Sequence, residues 1–194
     1  MTAEPQHTTW PVPPPDGYTV DDLFNLPDLP PHTELIDGSL VFVSPQRDFH
    51  SLATDLLTYG LRTAAPDEFR VRREMTVVLG LRNAPEPDLM VVRAEAVRNE
   101  DQTRYEAADV VLAIEVVSPD SEERDRDAKP RKYAAAGIRY FWLVEKKEGR
   151  RPVVHTYELD PVTKSYAITG IHHERLKLTV PFDIDIDLTE IDHM

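Results

Sequence analysis

Val110-Val-Leu-Ala-Ile-Glu115-Val-Val-Ser-Pro119 is the stretch that decides the fold. From Val110 to Val117 every residue except Glu115 is aliphatic. A strand with one solvated face alternates apolar and polar residues, whereas one that is apolar on both faces lies in the middle of a covered sheet. Just downstream, Asp127 to Ala136 predicts a helix, with Gly137 in the position after its end that favours a left-handed backbone. Tyr140 to Val144 predicts a second buried strand. Strand, helix and strand within 110–144, with more strands on either side, predict an α/β domain: a mixed central sheet flanked by helices.

Working outward, residues 87–93 predict a strand after the Pro85-Glu-Pro87 break, and residues 71–79 a single strand ending at Gly80. Ala94 to Asp101 reads as a short helix or turn. Asp48 to Ala65 predicts an amphipathic helix, with Leu52, Leu56, Tyr59 and Leu61 near helical spacing. Glu34 to Val43 reads as two short strands around Asp37-Gly38, a strong hairpin signal because glycine tolerates positive φ. On the far side, 153–159 and 165–168 form a hairpin across Asp160-Pro161, and 176–186 supplies one or two further antiparallel strands. Residues 1–31 hold eight of the seventeen prolines, which favour extended backbone. Within that segment, Thr19 to Leu26 predicts a short helix capped by Thr19 or Asp21. The expected organisation is a flexible leader over 1–17 and one domain over 18–194.

A chain of 194 residues with 41 % hydrophobic and 29 % charged residues has the composition of a globular domain. It contains no cysteine, which removes disulfides, thiolate zinc sites and cysteine nucleophiles. No apolar run reaches the length of a membrane helix, and Met1 to Trp10 lacks the pattern of a signal peptide, so a cytoplasmic location is expected. The net charge of −13 runs against nucleic-acid binding, which draws its affinity from lysine and arginine. It leaves room for acidic groups gathered around a metal ion, or for a local basic patch.

Glu115 is the first chemical signal. A carboxylate on an apolar strand, sharing a face with Val111, Ala113 and Val117, is costly unless paired or bound to a metal. The plain alternative is an ion pair at the sheet's edge. Asp88 opens the strand at 89–93, where it can face Glu115 from a neighbouring strand; two such carboxylates suit Mg²⁺ or Mn²⁺. Lys129 shares a helix face with Tyr133 and Ala136 and is expected to turn inward. Near a helix N-terminus its charge opposes the dipole, which implies an anionic neighbour.

Glu34-Leu-Ile-Asp-Gly, His50 at a helix start, Pro87-Asp88, Glu115-Val-Val-Ser-Pro and Asp125-x-x-x-Lys129-x-x-x-Tyr133-x-x-x-Gly137-Ile-x-x-Phe-Trp-Leu-Val occur in this order. Over about residues 18 to 190 the chain resembles the Uma family of restriction endonucleases, a branch of the PD-(D/E)XK nuclease-like superfamily. The resemblance implies a restriction-endonuclease-like core, with Asp88 and Glu115 as metal ligands. It implies that Lys129 replaces the lysine usually found two residues after the glutamate, where Val117 stands. Glu34 would complete the catalytic set. Pro130, next to Lys129, is tolerable only in a helix's first turn.

The expected activity is Mg²⁺- or Mn²⁺-dependent hydrolysis of phosphodiester bonds in nucleic acid, DNA before RNA. In it Lys129 orients water or offsets negative charge, and Glu34 acts as an outer ligand. His50 is a weaker candidate, read first as structural. A homodimer would suit a duplex substrate, with edge strands near 153–168 as the interface. Two alternatives stay open: a catalytically inactive nuclease-fold module that binds a partner or nucleic acid, and a small-molecule metal hydrolase using the same carboxylates.

Overall fold

The computed structural model describes residues 12–147 and 151–194. Most of the expected leader, residues 1–11, lies outside the described residues. Helix α1 (Val20–Asn25) precedes a hairpin of β1 (Glu34–Ile36) and β2 (Ser39–Val41). Helix α2 (Asp48–Ala64) leads into β3 (Phe69–Arg73), β4 (Thr76–Val78) and β5 (Leu89–Arg93). Short β6 (Arg104–Glu106) and long β7 (Val110–Val116) come next. A wide helical turn at Arg124–Ala128 runs straight into α3 (Lys129–Ala135). Strands β8 (Tyr140–Lys146), β9 (Pro152–Asp160), β10 (Ser165–His172), β11 (Arg175–Leu178) and β12 (Ile184–Asp187) complete the order.

Six strands form the central sheet in the order β10-β9-β8-β7-β5-β3. β7 and β8 are parallel, joined by the α3 crossover, and the other neighbours in the sheet are antiparallel. The sheet is therefore mixed, as expected, with β7 and β8 in its interior. On one face, Leu112, Ile114, Val116, Trp142 and Val144 pack against Leu57 and Leu61 of α2 and against Ile184 and Ile186 of β12. On the other, Met90, Val92, Ala113, Phe141 and Leu143 pack with Tyr133 of α3 and Ile138. Strands covered on both sides have no polar face to show, which accounts for the continuous apolar runs.

A smaller cluster holds α1 and the first hairpin to the body through Tyr18, Leu23, Leu35 and Ala84. Thr19 caps α1 in a reciprocal box with Asp22, which decides between the two expected caps. Asp37 (φ 49°) and Gly38 (φ 78°) make the tight hairpin turn. Gly17 lies so close that a Cβ on it would meet Gly38 O at 2.9 Å.

Some expectations change. The single strand over 71–79 is two strands, because Glu74 takes φ 48° and breaks the run; β4 leaves the main sheet to pair with β6. Tyr59 is 76 % exposed and lies on the outer side of α2. Val111 is the extra residue of a bulge against β5 and packs on the α2 side, away from Glu115. The helix expected from Asp127 is already helical before Arg124. Pro130 thus falls inside a longer helical run, where it has no N–H and its ring crowds the carbonyl four residues back. The wide turn directly before it opens that spacing.

Candidate active site

Glu115 lies on β7, opposite Leu143 of β8, and its side chain points toward α3. Its two oxygens have separate partners: Lys129 Nζ donates to Oε2 at 3.0 Å, and the Tyr133 hydroxyl donates to Oε1 at 2.6 Å. Burial pushes the Glu115 carboxyl well above the ordinary range; Lys129 pulls it down, while Asp125, Asp88 and Glu34 push it up further. Burial and the Glu115 charge hold the Tyr133 hydroxyl well above its usual value, so it remains a donor.

Lys129 is the hub. Its ammonium also lies 2.9 Å from Glu34 Oε1 and 3.4 Å from Asp125 Oδ1. Burial works to lower its pKa, but Glu115, Glu34, Asp125 and Asp88 together outweigh that and hold it well above the usual lysine value. The inward turn expected of Lys129 is observed. The reason differs, since Lys129 sits beyond the wide turn and not at a helix start.

Glu34 begins β1 and is carried to the site by the bridge between Leu35 and Ala84. Its Oε1 also accepts the Glu86 N–H at 2.8 Å. Asp88 precedes β5, and the β5–β7 register sets it beside Glu115. Its Oδ2 accepts the Val116 N–H at 2.6 Å, and its Oδ1 lies 2.9 Å from His50 Nε2. One carboxylate thus ties β5, β7 and α2 together. His50 is buried on the first turn of α2 and lines the cleft next to the expected residues.

Asp125 was not assigned a role from the sequence. It is buried in the wide turn, with Oδ2 accepting from the Ser121 hydroxyl. Its Oδ1 is buried and accepts no hydrogen bond, although the Lys129 ammonium is its ion-pair partner. Burial raises its pKa, and Lys129 and Ser121 oppose the rise. The signal was present in the four-residue spacing of Asp125, Lys129 and Tyr133, which puts all three on one helix face.

One cleft therefore contains Glu34, His50, Asp88, Glu115, Asp125 and Lys129. Seven carboxylates and three permanent cations, Arg47, Arg124 and Lys129, line it. Among the described residues no group of three His, Asp or Glu side chains is arranged to hold a metal ion. The reason is visible in the geometry: the Lys129 ammonium stands where the carboxylates of Glu34, Glu115 and Asp125 meet. Among the described residues no helix is long and apolar enough to cross a membrane.

Comparison with known proteins agrees with this core. A crystal structure of "a putative nuclease belonging to DUF820" from Anabaena variabilis ATCC 29413 superimposes with a TM-score of 0.69 at 18 % identity, covering 89 % of this chain and 96 % of that one. At that identity the likeness speaks for the fold. No curated protein matches the chain significantly. The Uma2 family model, described as "Putative restriction endonuclease", matches residues 20–189, which span every strand of the central sheet and every residue of the cleft. The chain belongs to the Uma2 family.

Proposed function

We propose that this protein is a metal-dependent endonuclease that hydrolyses phosphodiester bonds of nucleic acid, DNA before RNA. The observation that carries the reading is the convergence of Glu34, Asp88, Glu115 and Asp125, from four separate segments, on one cleft around buried Lys129. So many carboxylates in a buried place oppose one another, and a single ammonium offsets only part of that. The donor chemistry suits a hard divalent cation: it is all oxygen, and Asp125 Oδ1 is buried without a hydrogen bond among the described residues; an ion would have to draw these carboxylates away from Lys129, on which they are gathered. Asp88 and Glu115 would hold Mg²⁺ or Mn²⁺, with Glu34 and Asp125 close by. When bound, such an ion supplies Lewis acidity toward phosphate oxygens and acidifies water.

The chain's own residues do the rest. His50 and the Val116 N–H fix Asp88 in one orientation. Lys129 draws Glu34, Glu115 and Asp125 together and keeps their charges from driving them apart. Tyr133 fixes the second Glu115 oxygen. The cleft's acidic lining would repel a nucleic acid unless a cation were added, which ties substrate binding to the metal. A second copy adding to edge strand β10, where Ile168 and Ile171 are exposed, would bring two clefts to the two strands of a duplex. Sedimentation of the purified protein tests that arrangement.

The test of activity is cleavage of plasmid DNA and of RNA with Mg²⁺ or Mn²⁺, alongside calorimetry of metal binding. Wild type is expected to cut, with Glu115→Gln and Asp88→Asn each slower by at least about 10²-fold. Wild-type protein that cuts neither nucleic acid and binds neither ion overturns the reading. One observation favours a non-catalytic module instead: the oxygens of Glu115 and Asp88 are all engaged by protein groups. Nucleic-acid binding without metal uptake would select that module.

A further inference from the structure

We propose that Arg124 is a catalytic residue that holds the scissile phosphate; this rests on the nuclease reading above. The helical run that ends in α3 carries five basic side chains. Arg126 pairs with Glu145 at 2.7 Å and Glu122 at 3.2 Å, Arg131 with Asp127 at 2.5 Å, and Lys132 with Asp37 at 2.5 Å. Lys129 is enclosed by Glu34, Glu115 and Asp125. Arg124 differs from all of them. It forms no ion pair among the described residues, and its Nε is buried with no hydrogen-bond partner. It also lines the same cleft as Asp88, Glu115 and Lys129.

A buried N–H without an acceptor is unfavourable, so a group from outside the chain, a water or a ligand, is expected to complete it. The ligand must be an anion that reaches a cleft crowded with carboxylates. A phosphodiester fits, because guanidinium presents parallel N–H groups that match two oxygens of one phosphate. Lys129 is poorly placed for that task. An ammonium has three donors, and three carboxylates surround this one. Its role is then to position the carboxylates; of the two arginines that line the cleft, Arg47 is exposed and Arg124 alone has a buried Nε in want of an acceptor, so the cation facing the substrate is Arg124. The wide turn that begins at Arg124 places this side chain and Asp125 at the cleft together. Such turns recur at functional sites.

The experiment compares wild type, Arg124→Ala and Arg124→Lys in single-turnover cleavage with Mn²⁺. It also follows binding to a short DNA duplex across a KCl series, thermal melts, and cleavage with millimolar guanidinium added. Arg124→Ala is expected to slow cleavage about 10²-fold, as loss of a donor to developing charge does. Arg124→Lys recovers part of the rate, and added guanidinium recovers part of the Arg124→Ala rate. The slope of log affinity against log salt falls by about one, and the melting temperature stays at the wild-type value. Three outcomes overturn the proposal. One is an Arg124→Ala rate within about two-fold of wild type, well short of the loss expected for a donor of this kind. Another is a slower rate with no guanidinium rescue and an unchanged salt slope. The third is a wild-type protein that cuts nothing, which removes the nuclease reading together with this one; in the first two, wild type cuts and that reading stands.

Discussion

The two faces of β7 are equally buried and chemically opposite. Leu112, Ile114 and Val116 join Leu57 and Leu61 of α2 in one apolar cluster. Ala113 and Glu115 face α3, where Glu115 meets Lys129 and Tyr133. Ile114 is 0 % exposed and Glu115 1 %, so burial alone does not distinguish them. The energetics do. Removing apolar area from water stabilises at roughly 25 cal/mol per Å². Burying charges costs several kcal/mol per ion, and a good pair does little more than offset that cost. The α2 side of β7 therefore contributes apolar burial alone, whereas on the α3 side, beside the apolar cluster of Ala113 and Phe141, Glu115 and Lys129 hold charges at fixed positions for a task that stability does not require.

Lys129→Met should show the difference most strongly. It leaves Glu34, Glu115 and Asp125 facing one another with no cation, and it should lower the urea-unfolding free energy by about 3–5 kcal/mol at neutral pH. The loss has a definite pH sign. Burial already raises the folded-state pKa of Glu115 and Asp125, so as pH falls toward the ordinary carboxylate value the folded protein takes up protons before the unfolded chain does. The deficit should shrink on acidification. Added Mg²⁺ should shrink it too. A variant as stable as wild type at neutral pH would mean that the two faces do not differ in this way. Ile114→Ala, on the other face, should cost about 3 kcal/mol through the cavity it leaves. That loss should not respond to Mg²⁺; a response would show that the faces are coupled.

The sheet was legible because β7 and β8 are covered on both sides, and a doubly buried strand has a one-line signature. Glu115 was legible for the same reason, as the single polar residue in that run. Lys129 could be found because its four-residue spacing to Tyr133 places both on one face. The rest depends on contacts between distant segments. Nothing in Pro87-Asp88-Leu89 announces that Asp88 accepts from Val116 and faces His50 of α2. Asp125 was passed over because the expected helix began two residues after it, at Asp127, so its four-residue spacing to Lys129 went unused; the wide turn that buries it starts at Arg124. The break at Glu74 was hidden because an acidic residue with positive φ carries no sequence mark of the kind glycine does. Arg124 reads like Arg126 in the sequence, and only the ion pairs tell them apart.

Two quieter substitutions test how the α3 face is built. Tyr133→Phe removes the donor to Glu115 Oε1 and leaves that buried oxygen without a partner, which should cost about 1–3 kcal/mol. The smallest effect on stability is expected from Glu115→Gln. Glutamine matches Glu115 in size and carries no charge, so it escapes the burial penalty that pushes the Glu115 carboxyl up. The amide oxygen can still accept from Lys129 or Tyr133, and Lys129 keeps Glu34 and Asp125 as counter-charges. The unfolding free energy should therefore move by less than about 1 kcal/mol, in either direction, a shift within the ordinary scatter of single substitutions. Cleavage and metal uptake, in contrast, should be lost. A residue whose replacement leaves the fold unchanged but removes the chemistry is held there for the chemistry. If Glu115→Gln instead unfolds the protein, Glu115 belongs with Ile114 as a structural residue, and the contrast between the two faces of β7 disappears.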